Sequence, residues 1–467
     1  MRFLLQYTTR SAVIGGEHTY RRWYLLGFVL VIASIFWHIV LLFICGMLLL
    51  LILGTIDLWA YYCLHALGYR RHLSEQRVSF GETITLSLSV ENAKPLPLPW
   101  LEVVDTVPRS LPIEGRAVRS LLPGDQSMLQ ALFSPRWYER VTRHYAVYCN
   151  MRGVHTFGPA TIRSGDLFGF VRRETQVANA QYVLVYPLIV PLTHFGLPAH
   201  HPFGERRAPR RLLEDPSRVV GMRDYLPGDS LRRVHWKATA RVMKLQSKVY
   251  EATTTYTLVL FLNIASSLDM YYGIHPEIHE LSISAAASVT NWALAQGYAV
   301  GLYANTLMYM PDEKVVEQVT GEEDIAMTLA GQLKRRRIHI PPASDPGQLT
   351  RILEVLARIQ TYFGSTIEDV LAAERSRLPA GATVVVISSG ISEQLVETLI
   401  RLRQNGHAVA ILFVGENPPP LKLGGIPVYH LGGEATWQQL MTGYCRERPG
   451  EAHEKMPTAG VAGGFNL

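Results

Sequence analysis

The hydrophobic and polar positions of this chain divide it into an apolar N-terminal segment, a region of period two and a region of mixed period. The apolar segment, between Arg22 and Arg70, contains no Lys or Arg and a single acidic residue, Asp57. As one helix it would be roughly 70 Å long, about twice what a bilayer needs. The pattern therefore predicts two transmembrane helices, Trp23–Trp37 and Val40–Tyr61, joined by a tight reversal. A cleaved signal peptide has a much shorter apolar core.

The charges that flank this segment predict its orientation. Basic residues lie on both outer sides and none lies in the connection: Arg2, Arg10, Arg21, Arg22, Arg70 and Arg71. The positive-inside rule then keeps both ends in the cytoplasm, so the remainder of the chain is expected to be cytosolic, with reduced thiols. Asp57 lies near the cytoplasmic end of the second helix. It is interpreted as reaching toward water, and a functional intramembrane carboxylate is the alternative.

The next region, residues 73–195, alternates with period two and is broken by Pro and Gly turns. Ile84, Leu86, Leu88 and Val90 alternate with polar residues, which is typical of a half-buried strand. Further strands are predicted at Trp100–Val107, Ser127–Phe133, His144–Cys149 and Tyr182–Tyr186. Short strands with regular turns and no intervening amphipathic helix predict an antiparallel β-sandwich. No paired carboxylates or His cluster have catalytic spacing there, so a structural or binding module is expected.

Residues 245–445 alternate between strand and helix patterns. Strands are predicted at Leu258–Leu262, Tyr298–Tyr303, Thr383–Ser388 and His407–Val414. Helices are predicted at Glu280–Gln296, through Leu349–Ile359, after a capping box of Ser365 and Glu368, and through Leu395–Leu402. This order predicts an α/β fold with a mostly parallel sheet covered on both faces. Ligands of such sheets bind at the carboxyl ends of the strands, here near Asn263 and Ser389.

Composition and charge narrow the classes of function. The chain has 467 residues, 48% of them hydrophobic, and a net charge of +6, which excludes a disordered, collagen-like or disulfide-stapled protein. Its four cysteines have no zinc-ligand spacing: Cys45, Cys63, Cys149 and Cys445. The segment from Arg206 to Lys248 contains twelve Lys and Arg residues but only four Asp and Glu residues. The positive charge is therefore concentrated in the linker region 196–244 and its margin.

A motif within this basic region carries the strongest functional signal. It reads R-D-Y-L-P-G-D-S-L-R-R-V-H-W-K-A-T-A-R and runs from Arg223 to Arg241. Pro227-Gly228 predicts a turn, and Asp229 or Ser230 is expected to cap a short helix. Trp236 is predicted to pack under the turn. The arginines are expected to pair with Asp224, Asp229 or a ligand phosphate, and the residues of possible functional weight are Arg223, Tyr225, Pro227, Gly228, Asp229, Arg232, Trp236, Lys237 and Arg241.

This motif resembles the signature of a family of proteins of unknown function, DUF58. The segments Arg152–Pro159 and Asp166–Gly169 and the N-terminal apolar segment also resemble that family. The resemblance implies a bacterial or archaeal protein whose last domain is similar to a von Willebrand factor type A fold. It also implies genes that neighbour those of MoxR-type AAA+ ATPases. It implies no agreed enzymatic activity.

The resemblance to type A domains bears on metal binding. Type A domains with a metal site carry D-x-S-x-S after the first strand and an Asp after the fourth, ligands that suit Mg²⁺. Here the corresponding residues are Asn263, Ala265, Ser267 and Ser389. Both ionised ligands are missing, so neither Mg²⁺ nor another cofactor is expected.

Six regions are therefore predicted: a cytoplasmic N-terminus (1–22), two transmembrane helices (23–69), a β-sandwich (73–195), a basic linker with the motif (196–244), an α/β domain (245–445) and a flexible tail (446–467). The favoured function is a membrane-tethered, non-enzymatic scaffold in the cell membrane that recruits a protein partner. That partner is expected to be a MoxR-type AAA+ ATPase. One alternative is binding of anionic lipid, or of nucleic acid, through residues 206–248. The other is a hydrolase-like enzyme that uses Asp229, His235 and Arg241.

Overall fold

The computed structural model describes residues 12–13, 17–114, 126–166, 171–197, 214–227, 229–252, 256–265, 275–308, 338–363 and 366–444. Gly228, Ser267, Cys445, residues 198–213 of the linker and the tail lie outside the described residues. The helices are α1 (Glu17–Trp37), α2 (Val40–Tyr62), α3 (Trp236–Val242), α4 (Pro276–Ala295), α5 (Gln348–Arg358), α6 (Ile367–Glu374), α7 (Glu393–Gln404) and α8 (Glu434–Tyr444).

The strands follow in chain order. The first eleven are β1 (Ala12–Val13), β2 (Leu67–Leu73), β3 (Arg77–Val78), β4 (Thr83–Asn92), β5 (Leu101–Pro108), β6 (Gln126–Phe133), β7 (Arg140–Tyr148), β8 (Gly153–Phe157), β9 (Ala160–Gly165), β10 (Arg172–Val177) and β11 (Gln181–Val185). The others are β12 (Glu214–Asp224), β13 (Gln246–Ala252), β14 (Thr257–Leu262), β15 (Ala299–Ala304), β16 (Thr306–Met308), β17 (Ile338–Ala343), β18 (Ile359–Phe363), β19 (Thr383–Ser388), β20 (Ala408–Phe413), β21 (Lys422–Leu423) and β22 (Ile426–His430).

Helices α1 and α2 pack against each other, with the start of one beside the end of the other. The Tyr24 hydroxyl of α1 donates to Asp57 Oδ2 of α2 at 2.7 Å. Gly46 lies so close to Val31 that a Cβ there would be 2.8 Å from Val31 Cγ2. Among the described residues, one helix, Val40–Tyr62, is long and apolar enough to cross a membrane, and the apolar stretch Arg22–Trp37 of α1 is shorter.

Strands β1 to β11 form three sheets, here called the β unit, and strands of all three contribute to one core. Their orders are β1-β10-β9-β5-β6, β2-β4-β7 and β3-β11-β8, and the pairings are antiparallel except between β3 and β11. The β4 strand alternates buried apolar and more exposed polar residues, as predicted. The end of α2 enters the same core, because Cys63 is buried in it and Lys94 Nζ donates to the Cys63 and His65 carbonyls at 2.9 Å.

A buried ion pair of Arg71 with Asp105 lies inside the β unit, and both side chains are fully buried. Arg71 also donates to the carbonyls of Phe157 and Asn179, each at 2.8 Å, and Tyr69 donates to Asp105. A Cβ at Gly158, whose φ is +97°, would lie 2.5 Å from the Asn179 oxygen and 2.8 Å from the Arg71 guanidinium. Glycine is therefore required where the chain passes this arginine.

The C-terminal part, here called the α/β unit, is a seven-stranded sheet in the order β17-β15-β14-β19-β20-β22-β21. The five central strands are parallel, and the outer strands β17 and β21 are antiparallel to their neighbours. Alternate residues of β14 enter different cores: Leu258 and Leu260 one, Val259 and Phe261 the other. The prediction of a mostly parallel sheet covered on both faces is thereby confirmed.

The cap of helix α6 was predicted only in part. Its helix-capping residue is Thr366, whose hydroxyl accepts from the Asp369 amide at 3.3 Å. The predicted capping residue Ser365 lies outside the described residues. Strands β2, β8, β9 and β10 were not predicted, since they are short and rich in polar residues. Four apolar residues that the predicted boundaries place in the β-sandwich pack into the core of the α/β unit beneath α4: Leu188, Val190, Leu192 and Phe195. Leu197, at the start of the predicted linker, packs into the same core.

Candidate functional site

The motif lies on an antiparallel pair of strands and the loop between them. Strand β12 pairs with β13, with Arg223 opposite Ser247 and Asp224 opposite Gln246. Residues 225–245 connect the two strands and contain a short 3-10 turn and helix α3. We call β12, β13 and this connection the basic ribbon.

Asp229 organises the turn at the tip of the basic ribbon. Its Oδ1 accepts from Arg223 Nη2 at 2.7 Å, and its Oδ2 accepts from the Leu226 amide at 3.1 Å. The Tyr225 hydroxyl donates to the Asp229 carbonyl at 3.0 Å. The Leu226 amide, followed by the Arg223 guanidinium, holds the pKa of the Asp229 carboxyl below its ordinary value. Asp229 is thus an ionised acceptor that fixes a turn, as its predicted pairing with arginine requires.

His235 and Trp236 differ from their predicted roles. The residue that caps helix α3 is His235, whose Nδ1 accepts from the Ala238 amide at 3.0 Å, and neither Asp229 nor Ser230 caps that helix. Ser230 precedes the 3-10 turn without a side-chain cap. Trp236 does not pack under the turn, because 67% of it is exposed. The prediction failed because it assumed that another element covers the ring.

The surface of the basic ribbon is both apolar and positively charged. Between Tyr225 and Lys248 there are six basic side chains and one carboxylate, Asp229. Within the described part of the chain, Arg232 and Arg241 have no ion pair, and both are exposed together with Lys237. Large apolar side chains are exposed among them: Leu226, Leu231, Trp236, Val242 and Met243. Exposed apolar area of this kind is typical of an interaction surface.

The residues of the degenerate metal site satisfy one another. Asn263 Oδ1 accepts from Asn305 Nδ2 at 2.7 Å and from the Ala265 amide at 3.1 Å. Asn263 Nδ2 donates to Ser388 Oγ at 2.9 Å, and Ser389 Oγ donates to the Ala265 carbonyl. This neutral network lies at the carboxyl ends of β14 and β19. Across the described residues, no group of three or more His, Cys, Asp or Glu could hold a metal ion.

A further polar centre, at the junction of the β unit and the α/β unit, was missed by the sequence analysis. Arg152 donates to Glu280 Oε2 at 2.8 Å and to the carbonyls of Leu356 and Ile359 at 3.0 Å. The sequence marked Arg152-Gly153 only as a turn and as part of the family resemblance. Its partners are at least 127 positions away along the chain, so no local pattern indicates them.

The described part of the chain therefore combines an apolar N-terminal helix, a β unit, an exposed basic ribbon and an α/β unit. Residues 221–418 match the family described as "Protein of unknown function DUF58". This range begins in β12 and includes the connection between β12 and β13. It continues through the α/β unit to just beyond β20. The segments 152–159 and 166–169 lie outside it.

The chain is also similar to the "Uncharacterized protein YeaD" of Bacillus subtilis (strain 168). The two are 23% identical over 246 residues, which is 52% of this chain and 57% of that protein. The similarity therefore spans little more than half of the relative's length.

Two solved structures are similar to parts of the chain. Proximal thread matrix protein 1 from the mussel byssus has a TM-score of 0.23, with 13% identity over 41% of this chain and 47% of its own. A cohesin module from a Clostridium perfringens glycoside hydrolase has a TM-score of 0.18, with 10% identity over 25% of this chain and 96% of its own. TM-scores this low do not define a shared fold.

Proposed function

We propose that the protein is a membrane-tethered, non-enzymatic scaffold whose basic ribbon docks on a protein partner at the cytoplasmic face of the cell membrane. The exposure of the ribbon is the observation that carries this proposal. Trp236 is 67% exposed, Leu231 is 67% exposed and Met243 is 87% exposed, all beside basic side chains. Aromatic and long apolar side chains are the usual anchors of protein interfaces.

The proposed membrane anchor is a hairpin of α1 and α2 with both ends in the cytoplasm. Helix α2 supports it by its length and composition. The outward side chains of both helices are apolar, such as Phe36, 85% exposed, and Leu41, 71% exposed. The basic residues on the outer sides of the hairpin favour this orientation.

The proposed partner is a MoxR-type AAA+ ATPase, and the α/β unit is proposed to be similar to a von Willebrand factor type A domain. Both ideas come from the family resemblance. The mostly parallel sheet with helices on both faces is compatible with the second. The partner surface is expected to be acidic, since residues 225–248 of the basic ribbon carry six basic side chains and one carboxylate.

A photo-crosslinking amino acid at position 236 tests the partner in native membranes. Trp137 is the matched control, because it is 66% exposed on the β unit and Trp236 is 67% exposed. We expect an AAA+ ATPase to be crosslinked from position 236 and not from position 137. Equal crosslinking from both positions, or crosslinks at 236 to proteins other than an ATPase, would contradict the proposal.

Binding to anionic lipid is the second candidate, favoured by the same mixture of Trp236, apolar and basic side chains. It predicts crosslinks from position 236 to lipid. It also predicts that the solubilised chain binds phosphatidylserine vesicles but not phosphatidylcholine vesicles, with binding that weakens as salt rises. Nucleic acid is the weaker alternative, as Trp236 is the one exposed aromatic among the described side chains of the ribbon, and a stacking platform needs several.

The hydrolase alternative finds little support in the geometry. The carboxylate of Asp229 is engaged by Arg223 and the Leu226 amide, and His235 Nδ1 is engaged by the Ala238 amide. Both side chains thus hold the backbone of their own turn or helix. An Asp229→Asn variant that retains complementation of a deletion strain would exclude a catalytic role for this carboxylate.

A further inference from the structure

Two aromatic side chains project from the end of the β unit at which helix α2 enters it. Trp137 is 66% exposed and Tyr138 is 70% exposed. Both lie in the connection between β6 and β7, residues 134–139, here called the aromatic loop. Adjacent exposed Trp and Tyr side chains are typical of interfaces that are apolar on one side and wet on the other. The position of the loop indicates which interface this is.

The aromatic loop lies at the edge of the sheet where the chain arrives from α2. Leu67, the first residue of β2, pairs with Asn92 at the end of β4, and Glu91 pairs with Arg140, the first residue of β7. Neighbouring strands are about 4.8 Å apart, so the starts of β2 and β7 are about 10 Å apart. The loop leads directly into β7 and therefore lies beside the end of α2.

Lys94 connects the aromatic loop with the end of α2. Its ammonium donates to the carbonyls of Cys63 and His65, both at 2.9 Å, and these residues follow α2 in the chain. Its own carbonyl accepts from the Tyr138 amide at 3.3 Å. A single buried residue therefore holds the loop next to the helix.

A second contact places α2 at this same end of the β unit. Val171, in the connection between β9 and β10, packs against three residues from the C-terminal half of α2: Leu53, Ile56 and Ala60. Near this connection, Ser164 of β9 pairs with Leu101, and Leu101 pairs with Phe133, the last residue of β6. The aromatic loop follows Phe133. It therefore projects from the end of the β unit that α2 contacts.

Hydrogen bonds fix the backbone of the aromatic loop. Asn92 Nδ2 donates to the Arg136 carbonyl at 2.8 Å, and the Arg136 amide donates to Glu139 Oε2 at 2.6 Å. Tyr138 has a φ of +52°, a conformation that is rare for a bulky side chain. Such conformations persist where the surrounding contacts hold them, and they are concentrated at functional sites. The loop therefore presents its two rings from a fixed backbone.

The end of α2 carries aromatic side chains of the same kind. Tyr61 is 56% exposed and Tyr62 is 45% exposed. Trp and Tyr are enriched where membrane proteins meet the lipid headgroups, and arginine pairs well with phosphate. Arg136 of the aromatic loop is exposed, and within the described residues it has no ion pair. The loop thus has the composition of a segment at a membrane interface.

We propose that the aromatic loop lies in the headgroup layer of the bilayer that α2 crosses, with Trp137 and Tyr138 reaching the upper acyl chains and Arg136 facing the lipid phosphates. The β unit is then attached to the membrane at two places, α2 and the loop. The proposal rests on the membrane anchor proposed above, and it is independent of the docking function of the basic ribbon.

Photo-crosslinking to lipid tests the proposal on the full chain in nanodiscs of phosphatidylcholine and phosphatidylglycerol. A benzophenone amino acid at position 138 keeps an aromatic ring there and reacts with the C–H bonds of acyl chains. The control on the same unit is position 151, because Met151 is 50% exposed and lies beyond the opposite end of β7. The control for the anchor is position 51, as Leu51 is 62% exposed on α2. We expect acyl-chain adducts from positions 138 and 51 and none from position 151.

A variant separates insertion of the rings from mere nearness to the membrane. Trp137→Asp replaces an exposed ring with a carboxylate, which acyl chains exclude. With the probe at position 138, this change is expected to lower the yield of lipid adducts about tenfold. Trp236→Asp is the matched control, since Trp236 is 67% exposed on the basic ribbon, and it is expected to leave the yield unchanged.

Position 51 distinguishes a failure of the loop from a failure of the anchor. Adducts from position 51 but not from position 138 would show that α2 lies in the bilayer and the aromatic loop does not, which overturns this proposal alone. No adducts from position 51 would overturn the anchor, and this proposal with it. Equal yields from positions 138 and 151, crosslinks from position 138 to a second copy of the chain in place of lipid, or a yield that Trp137→Asp leaves unchanged would each overturn the assignment of the loop to the headgroup layer.

Discussion

Arg71 and Asp105 illustrate how single residues determine the stability of the β unit. Both side chains are fully buried, and Arg71 satisfies the carbonyls of Phe157 and Asn179 as well as Asp105. Burial first, and the Asp105 carboxylate next, raise the pKa of Tyr69, so its hydroxyl stays protonated and donates to Asp105. Removing one partner of such a network leaves an uncompensated charge in the core.

We predict that Asp105→Leu lowers the free energy of unfolding by about 3–5 kcal/mol, because it leaves the Arg71 charge buried without a counter-ion. The matched control is Glu91→Leu, which breaks an exposed pair with Arg140 in the same unit, 41% and 57% exposed. That change is expected to cost about 1 kcal/mol or less. Urea unfolding of the solubilised chain measures both, and equal costs would contradict the prediction.

His279 makes the stability dependent on pH. Burial, reinforced by Arg152, lowers its pKa in the folded chain below the ordinary 6.5, while Glu280 opposes the shift. The unfolded chain therefore takes up the proton first as the pH falls. The contribution of neutral His279 to the free energy of unfolding is complete above pH 6.5. It is lost as the pH falls through and below this value.

Free energies of unfolding measured from about pH 7.5 to about pH 5.5 test whether His279 lowers the stability as the pH falls. We expect the native chain to lose more stability over this range than His279→Gln does. The control is His144→Gln, which alters an exposed histidine of β7. A native chain and a His279→Gln variant with parallel pH profiles would show that His279 titrates normally.

At the scale of elements, Arg152 connects β8 with α4 and α5. It contacts Glu280 and the terminal carbonyls of α5. Arg77 crosses the same junction through Glu354, but these side chains are 60% and 25% exposed. Arg152 therefore makes a buried connection across the junction, and Arg77 makes an exposed one.

We predict that Arg152→Met loosens the junction, because it leaves Glu280 and the carbonyls at the end of α5 without their donor. The cost is expected to be about 2 kcal/mol or more, whereas Arg77→Met should cost about 1 kcal/mol or less. Hydrogen exchange at the end of α5 is expected to accelerate in Arg152→Met and not in Arg77→Met. Unchanged exchange in both variants would show that other contacts hold the junction.

The contact of α1 with α2 rests on a small residue. A Cβ at Gly46 would lie 2.8 Å from Val31 Cγ2, whereas a Cβ at Gly54 on the same helix would meet no atom within 4 Å beyond the backbone of its own helix. Close approach at small residues is the usual way in which helices pack in membranes. Gly46→Leu should therefore separate the helices, and Gly54→Leu should not.

Crosslinking of Tyr24→Cys to Asp57→Cys by a short bifunctional thiol reagent measures this contact, since the Tyr24 hydroxyl and the Asp57 carboxylate of the native chain are 2.7 Å apart. The native cysteines are removed first. We expect the yield of crosslink to fall in Gly46→Leu and to be unchanged in Gly54→Leu. Equal yields in the two leucine variants would contradict the packing of α1 on α2.

The elements that could be predicted are those with a strong local pattern. Strand β4 alternates over its length, and α2 has Asp57 as its one charged residue, so both were predicted from sequence. Strand β10 contains Arg172, Arg173 and Glu174 and has no such alternation. The exposure of Trp236 and the partners of Arg152 depend on residues distant in the chain. Local patterns carry no information about them, which is why the exposure of Trp236 and the polar centre around Arg152 were not predicted.

At the scale of the whole molecule, the end of α2 continues into the core of the β unit. Cys63 is buried there, and Lys94 binds the carbonyls of Cys63 and His65. Burial lowers the pKa of Lys94 to about 8. The side of α2 away from the protein remains apolar and exposed, with Leu41 71% and Leu51 62% exposed. Such a surface is stable in lipid and unstable in water.

We predict that the chain stays in the membrane fraction after carbonate washing and that the β unit and the α/β unit face the cytoplasm. Protease added to intact spheroplasts should leave these units whole, and protease added to inverted vesicles should digest exposed loops. A cysteine placed at His38, in the reversal between α1 and α2, should react with an impermeant thiol reagent from outside once the native cysteines are removed. If instead carbonate releases the chain, or protease digests the two units from outside, then α2 does not anchor them at the cytoplasmic face. The docking surface proposed for the basic ribbon would in that case face the wrong compartment for a cytosolic ATPase.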